Sequence, residues 1–206
     1  MDIVLATRNK KKVEEIKRIV RDMPVTIYTL DDFPGCPEVE EDGKTFEENA
    51  VKKARAVSKY TKMPALADDS GLEVYALGGA PGVFSARYAG EGADDRNNLE
   101  KLLKEMSSLP DDKRGARFVC VIALAFSGSR VETFSGYAEG LIGKETKGAN
   151  GFGYDPVFYP KGHEMTFAEM SDKEKDLLSH RGKAIGKLQE YLAHGRQSYH
   201  KQHREQ

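Results

Sequence analysis

Two aspartates, Asp68 and Asp69, stand side by side in "ALADDSGL", residues 65–72, directly after three apolar residues. Like charges that close repel, and burial at a strand end penalises ionisation further unless a cation or hydrogen-bond donors compensate. Asp, Ser and Gly also favour turns. The segment therefore reads either as a polar turn or as a metal site. Glu41 bears on the choice because it lies in a second acidic loop, "EVEEDG". Hard oxygen ligands on two loops suit magnesium, which takes one or two carboxylates and completes its shell with water and substrate phosphate. Glu38, Glu40 and Asp42 read as a solvated loop, and Cys and His are wrongly placed for zinc.

A second stretch, "ATRNKKK" at residues 6–12, joins a strand to a helix through a short polar loop. The free N–H groups of a first helical turn suit a phosphate. Thr7 and Asn9 add donors, and Lys10, Lys11 and Lys12 add charge that opposes the helix dipole. Lys12 reads as a phosphate contact, whereas Lys10 and Lys11 read as solvated. The Walker pattern is absent. Asn49 and Lys53 are four apart and share a helix face. In "GANGFGYDP", residues 148–156, glycines bracket Phe152. This is either a flexible loop or a base pocket, with an aromatic face for stacking and Asp155 reading a base edge. In "KDLLSHRGKA", Lys175, His180 and Arg181 crowd a helix near a break at Ser179. Taken alone they read as a solvated cation cluster.

Strands and helices must alternate to hold these groups. "DIVLAT" and "VTIY" read as strands, with a helix between them at the spacing of Val13, Ile16, Ile19 and Val20. "TFEENAVKKARAVSKY" is a helix with a capping box from Thr45 to Glu48. "PALA" reads as a short strand ending at the aspartates, and "GLEVYAL" as another. A Gly-rich loop and a helix through Leu99, Leu102, Leu103 and Met106 follow. "ARFVCVIALAF" and "VETFSGYAEG" pair across a hairpin. Ser171 and Glu174 offer a second capping box, before helical spacing from Leu177 to Leu192. From His194 the apolar period stops, and a frayed tail over 194–206 is expected. One α/β domain over 1–193 is the economical reading.

The chain has 206 residues and a net charge of −1, so it has no general electrostatic reason to seek nucleic acid or membrane. No apolar run reaches membrane-spanning length and no signal-peptide pattern opens the chain, which reads as cytoplasmic. Cys36 and Cys120 form no metal-type spacing, and Cys120 reads as a buried reduced thiol.

Seven stretches together resemble one family: "LATRNKKKVEEIK", "EEDGKTFEENAVKKA", "ALADDSGLEV", "LGGAPGVFSARYAG", "ARFVCV", "GFGYDPVFY" and "EKDLLSHRGKA". In that order they resemble the non-canonical purine nucleoside triphosphate pyrophosphatases, also called inosine triphosphate pyrophosphatases. The resemblance implies an elongated α/β fold with a long curved mixed β-sheet, helices on its faces, and two lobes flanking a central cleft. It implies a homodimer, and magnesium-dependent hydrolysis of ITP, dITP and XTP to the monophosphate and pyrophosphate. On it, residues Thr7, Arg8, Asn9, Lys10, Lys11 and Lys12 correspond to the triphosphate loop, and Lys53 to a lysine facing the phosphates. Glu41 and Asp69 correspond to the metal-linked carboxylates, with Asp69 the proton acceptor, and Ser70 to a substrate contact. Phe152, Gly153, Tyr154, Asp155, Lys175, His180 and Arg181 correspond to the base pocket. Arg8 stands where a smaller residue such as Gly is frequent. Asp68 is left as an orienter or a turn residue. The alternatives are a hydrolase acting on a modified pyrimidine or another purine, and a nucleotide-sensing or RNA-binding module. The acidic residues have no use in the second.

Overall fold

The structure, a computed structural model, describes the backbone of residues 1–202 and the side chains of residues 1–194. Strands β1 (Asp2–Leu5), β2 (Thr26–Tyr28), β3 (Ala65–Val74), β4 (Gly115–Ala125), β5 (Val131–Ile142) and β6 (Phe158–Pro160) form a mixed six-stranded sheet. Its order is β2-β1-β3-β4-β5-β6. The β1 strand runs parallel to both neighbours, and β3 to β6 are antiparallel. Among the described residues five α-helices flank the sheet: α1 (Lys10–Ile19), α2 (Phe46–Thr61), α3 (Asp95–Glu105), α4 (Asp172–Leu178) and α5 (His180–Gln202).

The β3 strand corrects one expectation. "PALA" and "GLEVYAL" do not make two strands parted at the aspartates; one strand runs from Ala65 to Val74 straight through them. Asp68 opposes Ile122 and Asp69 opposes Val121 in the β4 ladder. Neither the polar turn nor a shared two-aspartate site survives, because successive residues of a strand face opposite sides of the sheet.

The core shows which side each takes. Leu66 packs with Ile3, Leu5, Cys120, Ile122 and Leu124 against Ile16 of α1 and Ile185 and Leu188 of α5. Ala65 and Ala67 pack with Val4, Val119, Val121 and Ala123 against Phe46, Ala50, Ala54 and Val57 of α2. Each large apolar side chain buried this way stabilises the fold by about 1.5–3 kcal/mol before the entropy of ordering it. By parity, Asp68 falls on the α1/α5 face with Leu66, and Asp69 on the α2 face with Ala67. A third cluster joins Leu72, Phe118 and Ile142 to Leu99 and Leu102 of α3 and to Phe158 and Phe167.

The helix ends follow local chemistry. Asn9 caps α1, its Oδ1 accepting from the Lys12 N–H at 3.2 Å. Thr45 caps α2, while Glu48 reaches back to the Lys44 N–H at 2.7 Å, one residue before the partner a capping box predicts. Ser171 and Glu174 form the expected box. Ser179 separates α4 from α5, and its Oγ accepts from the Gly182 N–H at 3.0 Å. A Cβ at Gly136 of β5 would collide with the His180 carbonyl and the Ala184 nitrogen, so α5 lies directly on the sheet. Helix α5 continues through Gln202. The frayed tail expected over 194–206 otherwise falls outside the described residues. Among the described residues no helix is long and apolar enough to cross a membrane.

Candidate active site

Asp68 is fully buried among partners from four elements, α1, α5, β4 and its own strand β3. Lys12 Nζ of α1 lies 2.6 Å from its Oδ1, and Arg181 Nε of α5 lies 2.8 Å from its Oδ2. Ser70 Oγ donates to its Oδ1 at 2.9 Å, and Cys120 Sγ to its Oδ2 at 3.0 Å. Burial pushes the Asp68 carboxyl up, but Arg181 and Lys12 outweigh it and hold the group well below the ordinary carboxylate range. Cys36 and Cys120 are both buried free thiols.

Asp69, one residue on, has a different environment. Lys53 Nζ lies 3.0 Å from its Oδ1 and 2.6 Å from Glu41 Oε1, and also donates to the Asp68 carbonyl at 2.8 Å. Asn49 Nδ2 donates to Asp69 Oδ2 at 3.2 Å. Asn49 and Lys53 thus act from the one α2 face that their spacing predicts. Burial pushes the Asp69 carboxyl up; Lys53 and Lys12 oppose it, and burial wins. For Lys53 the balance is reversed: burial lowers its pKa, but Asp69 and Glu41 raise it overall. Arg87 Nη2 fixes the Glu41 backbone by donating to its carbonyl at 3.1 Å.

No cluster of three or more Asp, Glu, His or Cys side chains suited to a metal occurs among the described residues. Glu41 and Asp69, however, bring two hard carboxylates from separate segments to one ammonium. That donor set fits a cation such as magnesium, whose remaining ligands come from water and substrate phosphate.

The base-loop residues also converge. Asp155 Oδ2 accepts from the Phe152 N–H at 2.8 Å and pairs with Lys175 Nζ at 2.7 Å. Burial raises the Asp155 carboxyl and Lys175 only partly opposes it. The Tyr154 hydroxyl donates to the Ser85 carbonyl at 2.8 Å. The Phe152 ring centroid lies 5.0 Å from Lys175 Nζ and 5.7 Å from the Arg181 guanidinium carbon. The His180 ring stacks on Phe118 with centroids 4.6 Å apart. Burial, reinforced by Arg181, holds His180 well below its ordinary pKa, so the imidazole is neutral. Its buried Nδ1 has no hydrogen-bond partner.

Two adjoining pockets result. One, of about 100 Å³, is lined by Ser70, by Phe152 to Asp155, and by Lys175, His180 and Arg181. The other, of about 230 Å³, is lined by Thr7, Arg8, Glu41 and Lys53. Asn9, Lys12 and Ala86 line both. Asp69 lines neither, and meets the second only through Lys53. Arg8 donates to the Cys36 carbonyl at 2.8 Å. Lys10 and Lys11 lie outside both pockets, on an open groove, where Lys11 Nζ pairs with Asp95 at 2.9 Å. Lys175, His180 and Arg181 are buried, not a solvated cluster.

Glu15 is not singled out by the sequence motifs. It is buried in α1, and its carboxylate lies 3.1 Å from Arg181 Nη1 and 3.3 Å from Lys175 Nζ. Burial raises its pKa, but Arg181 and Lys175 reverse this and lower it. A signal was present: Lys12, Glu15, Ile16 and Ile19 follow i, i+3, i+4, i+7 spacing, which places an acid in the apolar stripe beside a pocket lysine.

With sheet order, helix packing and a two-part site in place, the comparisons are consistent with one class of α/β enzyme. The profile of the Ham1 family matches residues 3–191, and the chain belongs to that family. It is 52% identical over 192 residues to a dITP/XTP pyrophosphatase of Desulforamulus reducens, covering 93% of this chain and 96% of that one. A dITP/XTP pyrophosphatase of Geobacter sulfurreducens is 52% identical over 190 residues, covering 92% and 96%. Among solved structures, a HAM1 protein from Coxiella burnetii superposes with a TM-score of 0.86 at 44% identity, covering 95% of this chain and all (100%) of that one.

Proposed function

We propose that this chain hydrolyses non-canonical purine nucleoside triphosphates, namely ITP, dITP and XTP, to the monophosphate and pyrophosphate. The observation that carries this reading is the wall shared by the two pockets. An aromatic, hydrogen-bonding pocket meets a basic and acidic one at Asn9 and Lys12, as a purine joined to a triphosphate requires. The names of the Desulforamulus and Geobacter relatives support the same substrates.

In this reading Phe152 offers the purine a face for stacking. Arg181, held in place by Asp68, Glu15 and Ser70, and His180 line this pocket and are assigned to the base edge. Lys12 and the Thr7–Asn9 loop take the phosphates. Glu41 and Asp69 would hold magnesium, which neutralises phosphate charge and polarises the phosphoryl group. Asp69, its basicity increased by burial, orients the attacking water and accepts its proton. Lys53 keeps Asp69 and Glu41 aligned and balances their charge. The resemblance also supports a cytoplasmic homodimer, with two lobes around the cleft.

Product analysis tests the reading. ITP with magnesium should yield IMP and pyrophosphate, with ATP and GTP turned over far less efficiently. IDP and orthophosphate as first products, or equal efficiency on ATP, would contradict it.

A further inference from the structure

Asp95 belongs to none of the motifs read from the sequence, yet its carboxylate joins two of them. Its Oδ2 accepts from the Gly153 N–H of the base loop at 3.0 Å and pairs with Lys11 Nζ of the phosphate loop at 2.9 Å. Asp95 is the first residue of α3, where an acid ordinarily serves the free N–H groups of its own helix. That role is already filled by its neighbour: Asp94 is the N-cap and accepts from the Asn97 N–H at 2.8 Å. Asp95 instead turns toward the base pocket, whose wall it helps to form.

The Gly153 N–H matters because of what precedes it. Phe152 stands between Gly151 and Gly153, whose φ angles are +71° and +61°. Glycines on both sides leave the segment conformationally permissive, so the direction of the aromatic ring has to be fixed from outside. Two carboxylates do this. Asp155 holds the Phe152 N–H at 2.8 Å, and Asp95 holds the next N–H along the chain. Together they clamp the backbone on both sides of the Phe152 Cα.

We propose that Asp95 is a positioning residue for base recognition. It fixes the Phe152–Gly153 peptide, and with it the ring face offered to the purine, and through Lys11 it ties that face to the phosphate loop. This rests on the purine pocket assigned above. Pre-organisation of this kind strengthens binding without touching the reacting atoms, so its loss appears in KM and not in kcat.

The test compares the full-length wild type with Asp95→Ala and Asp95→Asn. Without nucleotide, the Gly153 amide should exchange with solvent about tenfold faster in Asp95→Ala, the scale of losing one hydrogen bond to a charged acceptor. The thermal midpoint should stay within about 2 °C, because the site is half exposed. With ITP and magnesium, Asp95→Ala should raise KM about tenfold and leave kcat within about threefold. Asp95→Asn keeps a carbonyl acceptor and should recover most of that loss. In a Phe152→Ala background, Asp95→Ala should add little, because coupled residues are non-additive. Unchanged Gly153 exchange overturns the proposal, as does an unchanged KM, an Asn variant as impaired as Ala, or full additivity with Phe152→Ala. A wild type that leaves ITP intact overturns the substrate reading instead, and the exchange measurement then decides the role of Asp95 alone.

Discussion

Asp68 and Asp69 are adjacent in the chain and belong to opposite sides of the sheet. Asp68 lies under α1 and α5, where Lys12 and Arg181 neutralise it and Ser70 and Cys120 donate to it. Asp69 lies under α2, held by Lys53 and Asn49, with burial outweighing its cation. One carboxylate is driven toward permanent ionisation and the other toward greater basicity. Strand alternation thus builds a structural acid and a candidate proton acceptor from neighbouring identical residues. The repulsion that their adjacency suggests is relieved by facing them apart, with no need for a shared metal.

The largest expected effect comes from breaking the Asp68 side. Asp68→Ala leaves Arg181 and Lys12 short of a buried counter-charge, and should destabilise the fold by about 3–5 kcal/mol. Urea unfolding measures this; a loss under about 1 kcal/mol would show that Glu15 and water suffice for Arg181. Asp69→Asn should behave in the opposite way. It removes a carboxylate that burial disfavours, so stability should hold or rise, while kcat on ITP should fall about 10²-fold or more. A well-folded Asp69→Asn enzyme with near-normal kcat would remove Asp69 from the chemistry.

The smallest effect is the pH dependence of stability, which sharpens the same contrast. The folded pKa of Asp68 lies below the ordinary 3.8, so its contribution is complete above that value and is lost as pH falls through the folded pKa. Asp69 runs the other way. Its folded pKa is raised above 3.8, so the stability it contributes is present in acid and lost as pH rises through the window from 3.8 to the folded value. Unfolding free energies across the acid range should therefore decline less with rising pH in Asp69→Asn than in wild type. Parallel curves would mean that Asp69 has an ordinary pKa.

Much of this site was legible in the sequence because its parts are local. A strand, a polar turn and a helix start define the phosphate loop at 7–12, and Asn49 and Lys53 share a face at four-residue spacing. The glycines around Phe152 mark a turn. What was not legible depends on register and on distant packing. Whether a strand stops at Asp68 or continues through Asp69 is decided by the β4 ladder, some 50 residues away. The burial of Lys175, His180 and Arg181 depends on where α5 lies on β5, which the bare backbone at Gly136 permits. Asp95 is a helix-start acid by its sequence, and its approach to Gly153 is a purely tertiary fact.

In the proposed reaction water attacks the α-phosphorus, in the pocket that Lys12 joins to the base site, and pyrophosphate leaves. Hydrolysing ITP in heavy-oxygen water and locating the label by mass spectrometry tests it most directly. One labelled oxygen is expected in IMP and none in pyrophosphate. Label in pyrophosphate would place the attack on the β-phosphorus, and label in orthophosphate would place it on the γ-phosphorus; either result would contradict attack at the α-phosphorus.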